Sequence, residues 1–384
     1  MKEYTVEDCF FHIQNGANIK QGIVDGGYPI TRIETISNDV FNRDRVGYAG
    51  IIDLGKYEAY VLEDMDLLMS HINSVQYLGR TVLYRKKENE IIIHGMNLLR
   101  LKARNEIINP AYARYYFYCQ NFREQISRIT KKSVNQASFA VNDLKKIRLR
   151  IPELHEQEEI VAVLDKVQKV IDMRKGELEE FDNLIKSRFV EMFGHDAPTV
   201  KLGDICQMIN GDRGKNYPSG KDFVEEGIPF VNAGHLQNRQ VDFDNMNYIT
   251  EEKFRLLSQG KMQEGDILYC LRGSLGKHGL VNFERGAVAS SLVILRCNQE
   301  KVLPKFLLYA LETPEIELQL NSANNGSSQP NLSAASVKAY DIKVPTIEQQ
   351  KQFVSVVNQV DKLKFLNNHY IKTIQIKGGN SFGN

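Results

Sequence analysis

The 384-residue chain is 42% apolar and 25% charged, with a formal net charge of +1. Its size allows two or three domains. No apolar run approaches the roughly 18 residues of a membrane span, and the polar start Met1–Asp8 lacks the basic-then-apolar pattern of a signal peptide, which excludes a membrane-spanning protein and points to a cytoplasmic one.

In chain order, Lys2 to Arg150 alternates short β-type runs, Tyr28–Ile33, Tyr57–Leu62, Arg80–Tyr84 and Glu90–His94, with Gly, Asn and Asp turns. One aromatic helix follows: Asn109 caps it, Pro110 takes its first turn, and Tyr112, Tyr115, Tyr116 and Phe117 lead towards Ile126 and Ile129. The loop Thr130–Ser138 and a strand Ile147–Ile151 then feed an uninterrupted helix from Ile151 to Gly194. Its apolar residues Ile160, Leu164, Val167, Ile171, Leu178, Phe181, Ile185 and Met192 step by fours and threes, with Arg174 and Arg188 at the two missing steps. Gly176 interrupts the run at about 1 kcal/mol relative to Ala and marks a candidate bend. A heptad seam of this length requires a partner helix. At roughly 1.5 Å per residue the rod is about 60 Å long, enough to join two bodies.

From Thr199 the plan repeats. Pro304 opens a helix with Phe306, Tyr309 and Leu320, the loop Asn321–Asn331 follows, and Ile342–Val344 leads through Pro345 into a C-terminal helix. In that helix Phe353, Val356, Val360, Leu363, Tyr370 and Ile374 repeat the three-four spacing, with Asn367 as the polar exception. A shift of about 193 residues sets Pro110, Tyr112 and Tyr115 on Pro304, Phe306 and Tyr309, Gln136 on Gln329, Ile151-Pro152 on Val344-Pro345 and Gln157 on Gln350. Ile160, Val163 and Val167 fall on Phe353, Val356 and Val360. Upstream, Asn15-Gly16 faces Asn210-Gly211, Tyr28-Pro29 faces Ile228-Pro229, and Asp66-Leu67-Leu68 faces Asp266-Ile267-Leu268. This is one domain-plus-helix unit written twice, too long for a solenoid repeat.

The fold expected is therefore α+β: two tandem α/β domains, 1–150 and 198–343, separated by a long coiled coil of two helices, 151–197 and 344–378, with a flexible tail 379–384. Antiparallel pairing and a pseudo-two-fold follow if each helix leaves its own domain and docks on the other; parallel pairing is the alternative the sequence leaves open. Charge divides along the same lines. Residues 1–150 hold 22 basic against 17 acidic side chains, residues 151–197 hold 6 against 12, residues 198–343 hold 16 against 17, and the remainder 5 against 2. The acidic rod should avoid phosphates, and the N-terminal body suits them best. The five cysteines, Cys9, Cys119, Cys206, Cys270 and Cys297, have the spacing of neither zinc sites nor redox motifs and read as buried free thiols, so no metal site is expected.

The run Ile151-Pro152-Glu153-Leu154-His155-Glu156-Gln157-Glu158-Glu159-Ile160-Val161, with Leu164-Asp165 and the segment Arg174 to Met192 ending in Phe193-Gly194, resembles the specificity subunit of type I restriction-modification systems. Val344-Pro345-Thr346-Ile347-Glu348-Gln349-Gln350 is similar to the same helix start, with Gln349 where a Glu is usual. Lys201-Leu202-Gly203-Asp204-Ile205 resembles the opening of a target recognition domain, as does the stretch from Gly265-Asp266-Ile267-Leu268 to Gly276-Lys277. The resemblance covers essentially the whole chain. It implies two target recognition domains on helical spacers in a non-catalytic subunit of a multi-subunit adenine-N6 methyltransferase and endonuclease. It further implies double-stranded DNA and two modification subunits as partners, with restriction subunits in the full complex and no membrane. S-adenosylmethionine, and Mg and ATP for restriction, would belong to those partners, this chain binding no cofactor. Because base edges are read in grooves and half-sites recur about one helical turn apart, the rod would act as a ruler between two unlike half-sites.

Candidates for DNA contact combine a turn with a side chain that reaches bases or phosphates. In the first domain they are Asn18, Lys20, Arg43, Arg45, Tyr48, Asn73 and Arg80; in the second, Arg213, Lys215, Asn216, Tyr217, His235, Gln237, Arg272, Ser274, Lys277 and His278. The paired loops Lys131-Lys132-Ser133 to Gln136 and Asn324 to Gln329 add Ser327, Ser328 and Gln329 as amide-rich phosphate contacts. On the rod, Phe189, Met192 and Phe193 are apolar enough to suggest a docking site for modification subunits. Two other classes compete with DNA reading. A stand-alone adenine methyltransferase is suggested by Asn109-Pro110-Ala111-Tyr112, but its third residue is Ala, no glycine-rich cofactor turn precedes it, and the repeat puts a plain helix-starting Pro304 there. A phosphate-binding lysine loop fails on spacing at Gly211–Lys215 and Gly273–Lys277. The other class is a scaffold or recognition subunit of another phage-defence system.

Overall fold

The computed structural model describes residues 1–133, 136–194, 197–323 and 331–380. They form two compact units, one of Met1–Lys175 with the end of the C-terminal helix from Asn368, the other of Gly176–Asn367.

The first unit closes on itself through its ends. Strand Lys2–Thr5 pairs antiparallel with Arg148–Ile151, Lys2 opposite Ile151. The second unit repeats the ribbon with Thr199–Lys201 against Asp341–Lys343. A one-turn helix comes next in each, Val6–Cys9 and Leu202–Ile205, then strands Phe10–Asn15 and Cys206–Asn210. These pair with Leu98–Ala103 and Leu292–Cys297, which flank Leu67–Ser70 and Ile267–Cys270. The Asn-Gly steps at the ends of the opening strands are packing features. A Cβ on Gly16 would sit 2.1 Å from the Gly95 carbonyl oxygen, and one on Gly211 would sit 2.5 Å from that of Ala289. Before each middle strand a buried aspartate, Asp66 or Asp266, accepts an amide three residues back, from Glu63 and Gln263 at 2.8 and 2.9 Å. Arg296 grips Asp266 with two bonds of 2.8 and 2.7 Å, whereas Arg100 stands 3.7 Å from Asp66. Burial therefore holds the Asp66 carboxyl above the usual carboxylate range despite the Glu63 amide.

The aromatic helix of each half is two helices. Pro110–Tyr116 and Gln120–Ile129 are separated by a turn at Phe117–Cys119, which lets Phe117 stack on Phe122 with ring centroids 4.4 Å apart. Pro304–Ala310 and Pro314–Ala323 break at Thr313 because the residue before a proline avoids helical geometry. Two expected strands are absent. Tyr57–Leu62 is mostly a 3₁₀ turn, Gly55–Tyr60, and Glu90–His94 makes only isolated bridges from Ile93 to Ile30 and Val61. Short β-branched runs satisfy their backbone in turns as readily as in a ladder when no neighbouring strand is aligned.

The central helix runs Leu154–Phe193, unbroken at Gly176, where a Cβ would meet open space, and the C-terminal helix runs Ile347–Asn380. Each is locked to its own domain by one buried glutamine. Gln157 accepts from the Asn109 amide at 2.8 Å and donates to the Ile107 and Pro152 carbonyls at 3.0 and 2.9 Å. Gln350 repeats this with Leu303, Lys301 and Pro345 at 2.8, 3.0 and 2.9 Å. At Gln349 the structure has a Thr-Gln capping box with Thr346, so the amide does what a glutamate does there.

Within the second unit the helices pair antiparallel, since Glu177, Asp182 and Phe189 meet Asn367, Lys364 and Phe353 in reverse order. The seam of the C-terminal helix differs from the expected one. Phe353, Val357, Val360, Asn367 and Ile371 are buried, while Leu363 and Tyr370 are half exposed. A helix presents a stripe near 3.6 residues per turn, and Val357 rather than Val356 lies on it. At the end of the central helix the stripe takes Phe189 rather than Arg188, whose guanidinium instead pairs with Glu191 at 2.7 Å.

Candidate nucleic-acid interface

The first unit's candidates divide by what their polar atoms already hold. Asn18, Lys20, Arg45 and Tyr48 are exposed, and the backbone two residues after Lys20 is tied to Tyr48, whose carbonyl accepts the Gly22 amide at 3.0 Å. Arg43 is half-buried and committed. It holds both Glu90 oxygens at 2.6 and 2.8 Å and the Arg85 carbonyl at 2.7 Å, beside the Phe41 and Tyr84 rings. The guanidinium beside Glu90 pulls that carboxyl down to about 2. Arg80 is paired with Asp39 at 2.9 Å and lies over Tyr77, and Asn73 accepts the Ser74 amide at 2.7 Å. These three shape the loops; the four exposed residues are free to contact a ligand. Lys131 and Lys132 are exposed, with Ser133 donating to the Gln136 carbonyl at 2.7 Å.

In the second unit a loop is built around Asp212, which is buried. Its carboxylate accepts the Gly214 amide at 2.7 Å and the Ser258 amide and hydroxyl at 2.8 Å each. Those bonds, led by that of Gly214, keep it below the ordinary carboxylate range. With the one acid turned inward, the exposed Arg213 and Lys215 beside it face outward. Arg213 meets Arg272 across an open cavity of about 370 Å³ lined also by Asn210, Gln259, Asn331 and Ser333. Arg213 donates to the Ser290 carbonyl and Arg272 to Asn331 Oδ1, each at a long 3.3 Å, so among the described residues most of their guanidinium N–H groups are not engaged. Two guanidinium groups and three amides in one concavity match the pairings that read guanine and adenine edges. Gln259 and Asn331 were not singled out by sequence. The signal for Gln259 is the Ser258-Gln259-Gly260 turn, whose glycine has φ +78° and packs against Gly211.

The remaining candidates scatter. Asn216 donates to the Leu256 carbonyl at 2.9 Å, and Tyr217 packs edge-on against Phe230. His235 is buried; its Nδ1 accepts the Asn232 amide at 3.1 Å and its Nε2 faces the Asn245 carbonyl at 3.2 Å. His278 is also buried, with Gly276 and Leu308 carbonyls 2.7 and 2.9 Å from its two nitrogens. Both histidines thus have their ring nitrogens engaged within the domain, where the sequence expected base contacts. Gln237 and Lys277 line a second groove of about 580 Å³ with Glu179, Asn183 and Lys186. Ser274 is exposed, and Ser327, Ser328 and Gln329 lie outside the described residues. Asn109 is a helix cap, accepting the Ala111 and Tyr112 amides at 2.9 and 3.3 Å. Among the described residues no group of His, Cys, Asp and Glu is placed to hold a metal ion, and no helix is long and apolar enough to cross a membrane.

The docking expectation at the rod's end needs correction. Phe189 and Phe193 are 7% and 2% exposed, stacked among Phe306 and Phe353 in the unit's own core, and Met192 is half-buried against the same cluster. The apolar surface that suggested a partner is covered. Exposed apolar side chains lie elsewhere, at Leu184, Val190, Leu363 and Leu366 in this unit and at Val163 and Met173 in the first.

The family model for the type I restriction modification DNA specificity domain matches residues 1–182 and again 195–376. The chain belongs to this specificity family. A Methanocaldococcus jannaschii protein named for the specificity subunit of type I restriction enzyme MjaX is 27% identical over 380 residues, 93% of this chain and 86% of that one. The fold is similar to a chain solved in work on complex assembly and conformational transition of the type I restriction-modification system, with TM-score 0.58 and 17% identity over 100% of this chain and 96% of that one. The S subunit of a type I system from M. genitalium gives TM-score 0.52 and 14% identity over 99% and 94%. Both family matches start at an equivalent end strand and finish within a long helix, so the family's repeating element is the domain-plus-helix unit seen in the fold.

Proposed function

We propose that this chain is the DNA-reading, non-catalytic subunit of a type I restriction-modification complex, each recognition domain reading one half of a bipartite, asymmetric target. The observation that carries this reading is a matched frame bearing unlike loops. Gln157 and Gln350 make the same three bonds in the two units. The elements added to that frame nevertheless differ: the second unit has a five-stranded sheet and an arginine-lined cavity, the first a set of 3₁₀ turns and a two-stranded ribbon. Equal frames with different readers give two different half-sites. The names of the relatives, specificity subunits of type I restriction enzymes, support the same assignment.

In this reading the helices act as the ruler between half-sites, and two modification subunits dock on their exposed apolar faces, with restriction subunits in the full complex. S-adenosylmethionine, and Mg and ATP for cleavage, belong to those partners, and the methyl acceptor is an adenine. The test is to map methylated adenines in host DNA with and without this gene while the cognate modification subunit is expressed. A bipartite motif that disappears with the gene is the expected result; an unchanged pattern rejects the reading.

A further inference from the structure

The turn that carries Gln237 contains a residue out of keeping with its backbone. Strands Leu236–Gln237 and Arg239–Val241 pair antiparallel, and Asn238 and Arg239 link them with φ of +48° and +61°. Two successive left-handed residues are the geometry of an Asn-Gly hairpin turn. Asn238 fits that pattern, but an arginine stands where glycine would be unstrained.

Its side chain accounts for the substitution. Arg239 holds both oxygens of Glu312 at 2.8 and 2.7 Å and donates a third bond to Asp182 of the central helix at 2.9 Å. It also lies 4.6 Å from the Tyr309 ring centroid. Asp182 in turn accepts from Lys364 of the C-terminal helix at 2.8 Å, so one carboxylate joins the turn to both helices. Burial opposes ionisation of Asp182, but Lys364 and Arg239 outweigh it and hold the carboxyl below its ordinary range. Beside this network the domain and the helix are separated by an open groove whose lining is mostly polar, with Glu179, Asn183, Lys186, Gln237 and Lys277 beside Leu236. The apolar joint is further along, where Ile185, Phe189 and Phe193 pack with Phe306 and Phe353. Seven residues of helix, roughly 10 Å, separate Asp182 from Phe189. The second recognition domain is thus seated on an aromatic pivot and braced by two ionic contacts, Lys305 with Asp361 of the C-terminal helix and the Arg239 strut, which through Asp182 reaches both helices.

We propose that Arg239 is a positioning residue for target recognition, fixing the angle at which the second recognition domain is held on the helix pair and so the gap between half-sites that the subunit accepts. The inference rests on the DNA-reading function proposed above. Loss of the strut leaves the aromatic joint and the reading loops intact, so base preference is kept while the geometry relaxes.

The test uses the full chain with its modification subunits and duplexes carrying the mapped target at its native gap, at one base pair longer and at one shorter, plus a duplex with the second half-site scrambled. Arg239→Ala and Asp182→Asn are each expected to cut discrimination between native and altered gaps roughly five- to tenfold, with discrimination against the scrambled half-site unchanged within about twofold. Arg239→Lys, which keeps charge but not the forked bonds, should fall between. An unchanged gap profile in both variants overturns the proposal. So does a parallel loss of half-site discrimination, which would make Arg239 a base contact. If Arg239→Ala fails to fold, Asp182→Asn, on the helix surface, decides the matter by the same readout. A wild-type complex with no preference for the target over scrambled DNA defeats the DNA-reading assignment itself, a separate outcome from a wild-type preference that the variants leave untouched.

Discussion

Replacing Gln350 by methionine keeps the side chain's length and roughly its volume while deleting every hydrogen bond it makes. Three main-chain groups lose their partner: the Leu303 amide and the Lys301 and Pro345 carbonyls, bonded at 2.8, 3.0 and 2.9 Å. Gln350 is 0% exposed, so water does not replace the lost bonds without the helix start opening. An unsatisfied buried polar group costs about 1–3 kcal/mol, and three of them, eased by partial relaxation, give about 3–6 kcal/mol. The neighbouring Gln349→Ala removes only an exposed cap and should cost about 1 kcal/mol. Because the two units need not unfold together, the measurement is native-state hydrogen exchange at Leu303 and the first turns of the C-terminal helix, supported by urea unfolding. Gln157→Met should produce the same loss in the first unit, at Asn109 and the start of the central helix. A loss below about 1 kcal/mol at both sites would show that these glutamines are not what fastens the helices to their domains.

Lys20 and Arg43 should behave differently although both were read as DNA contacts. Lys20→Ala is expected to lower the salt slope of DNA binding by about 1 without changing stability, whereas Arg43→Ala should destabilise the first unit because Glu90 loses its partner; equal effects on the two quantities would contradict the assignment. The first unit should also weaken in acid. Burial pulls His94 down to about 3 and His71 to about 4, so both stay neutral in the fold while the unfolded chain takes up protons near 6.5. Their contribution is complete above pH 6.5 and falls by roughly 1.4 kcal/mol per pH unit per histidine as pH drops below it. His71→Asn should flatten the pH 7 to pH 5 decline in urea-unfolding stability of this unit relative to the parent, and an identical decline would refute the linkage. For docking, Leu363→Asp with Leu366→Asp, both on the exposed face of the C-terminal helix, should abolish co-purification with a modification subunit while leaving the fold intact; retained co-purification would move the docking site elsewhere.

The repeat was legible because it is written in residues whose roles are stereochemical. Pro110 and Pro304 start helices, Gly16 and Gly211 pack against a neighbouring backbone, and Gln157 and Gln350 close the same three bonds. The heptad pattern gave both long helices, but the stripe in the second is only partly the expected one: Phe353, Val360 and Asn367 belong to both, Val356, Leu363 and Tyr370 keep the spacing as well as Val357 and Ile371 do, and packing chooses the latter. The polar residue peculiar to the true stripe, Lys364, made the wrong stripe look the more apolar. The candidate site was less legible. Turn context and side-chain type marked Lys20 and Arg213 as readily as Arg43 and His278. What separates them is a partner distant in sequence, Glu90 for Arg43 and the Leu308 carbonyl for His278. Phe189 and Phe193 looked like a docking patch for the same reason, since the rings that cover them, Phe306 and Phe353, lie more than one hundred residues away in the chain.

The central claim is that two unlike domains on matched helical frames read the two halves of one target. The most direct measurement is adenine-methylation mapping after residues 198–343 are replaced by the corresponding domain of another family member, with the helices and the first domain unchanged. One half of the methylated motif should change while the other half and the gap persist. A motif that changes in both halves, or in neither, would contradict the account.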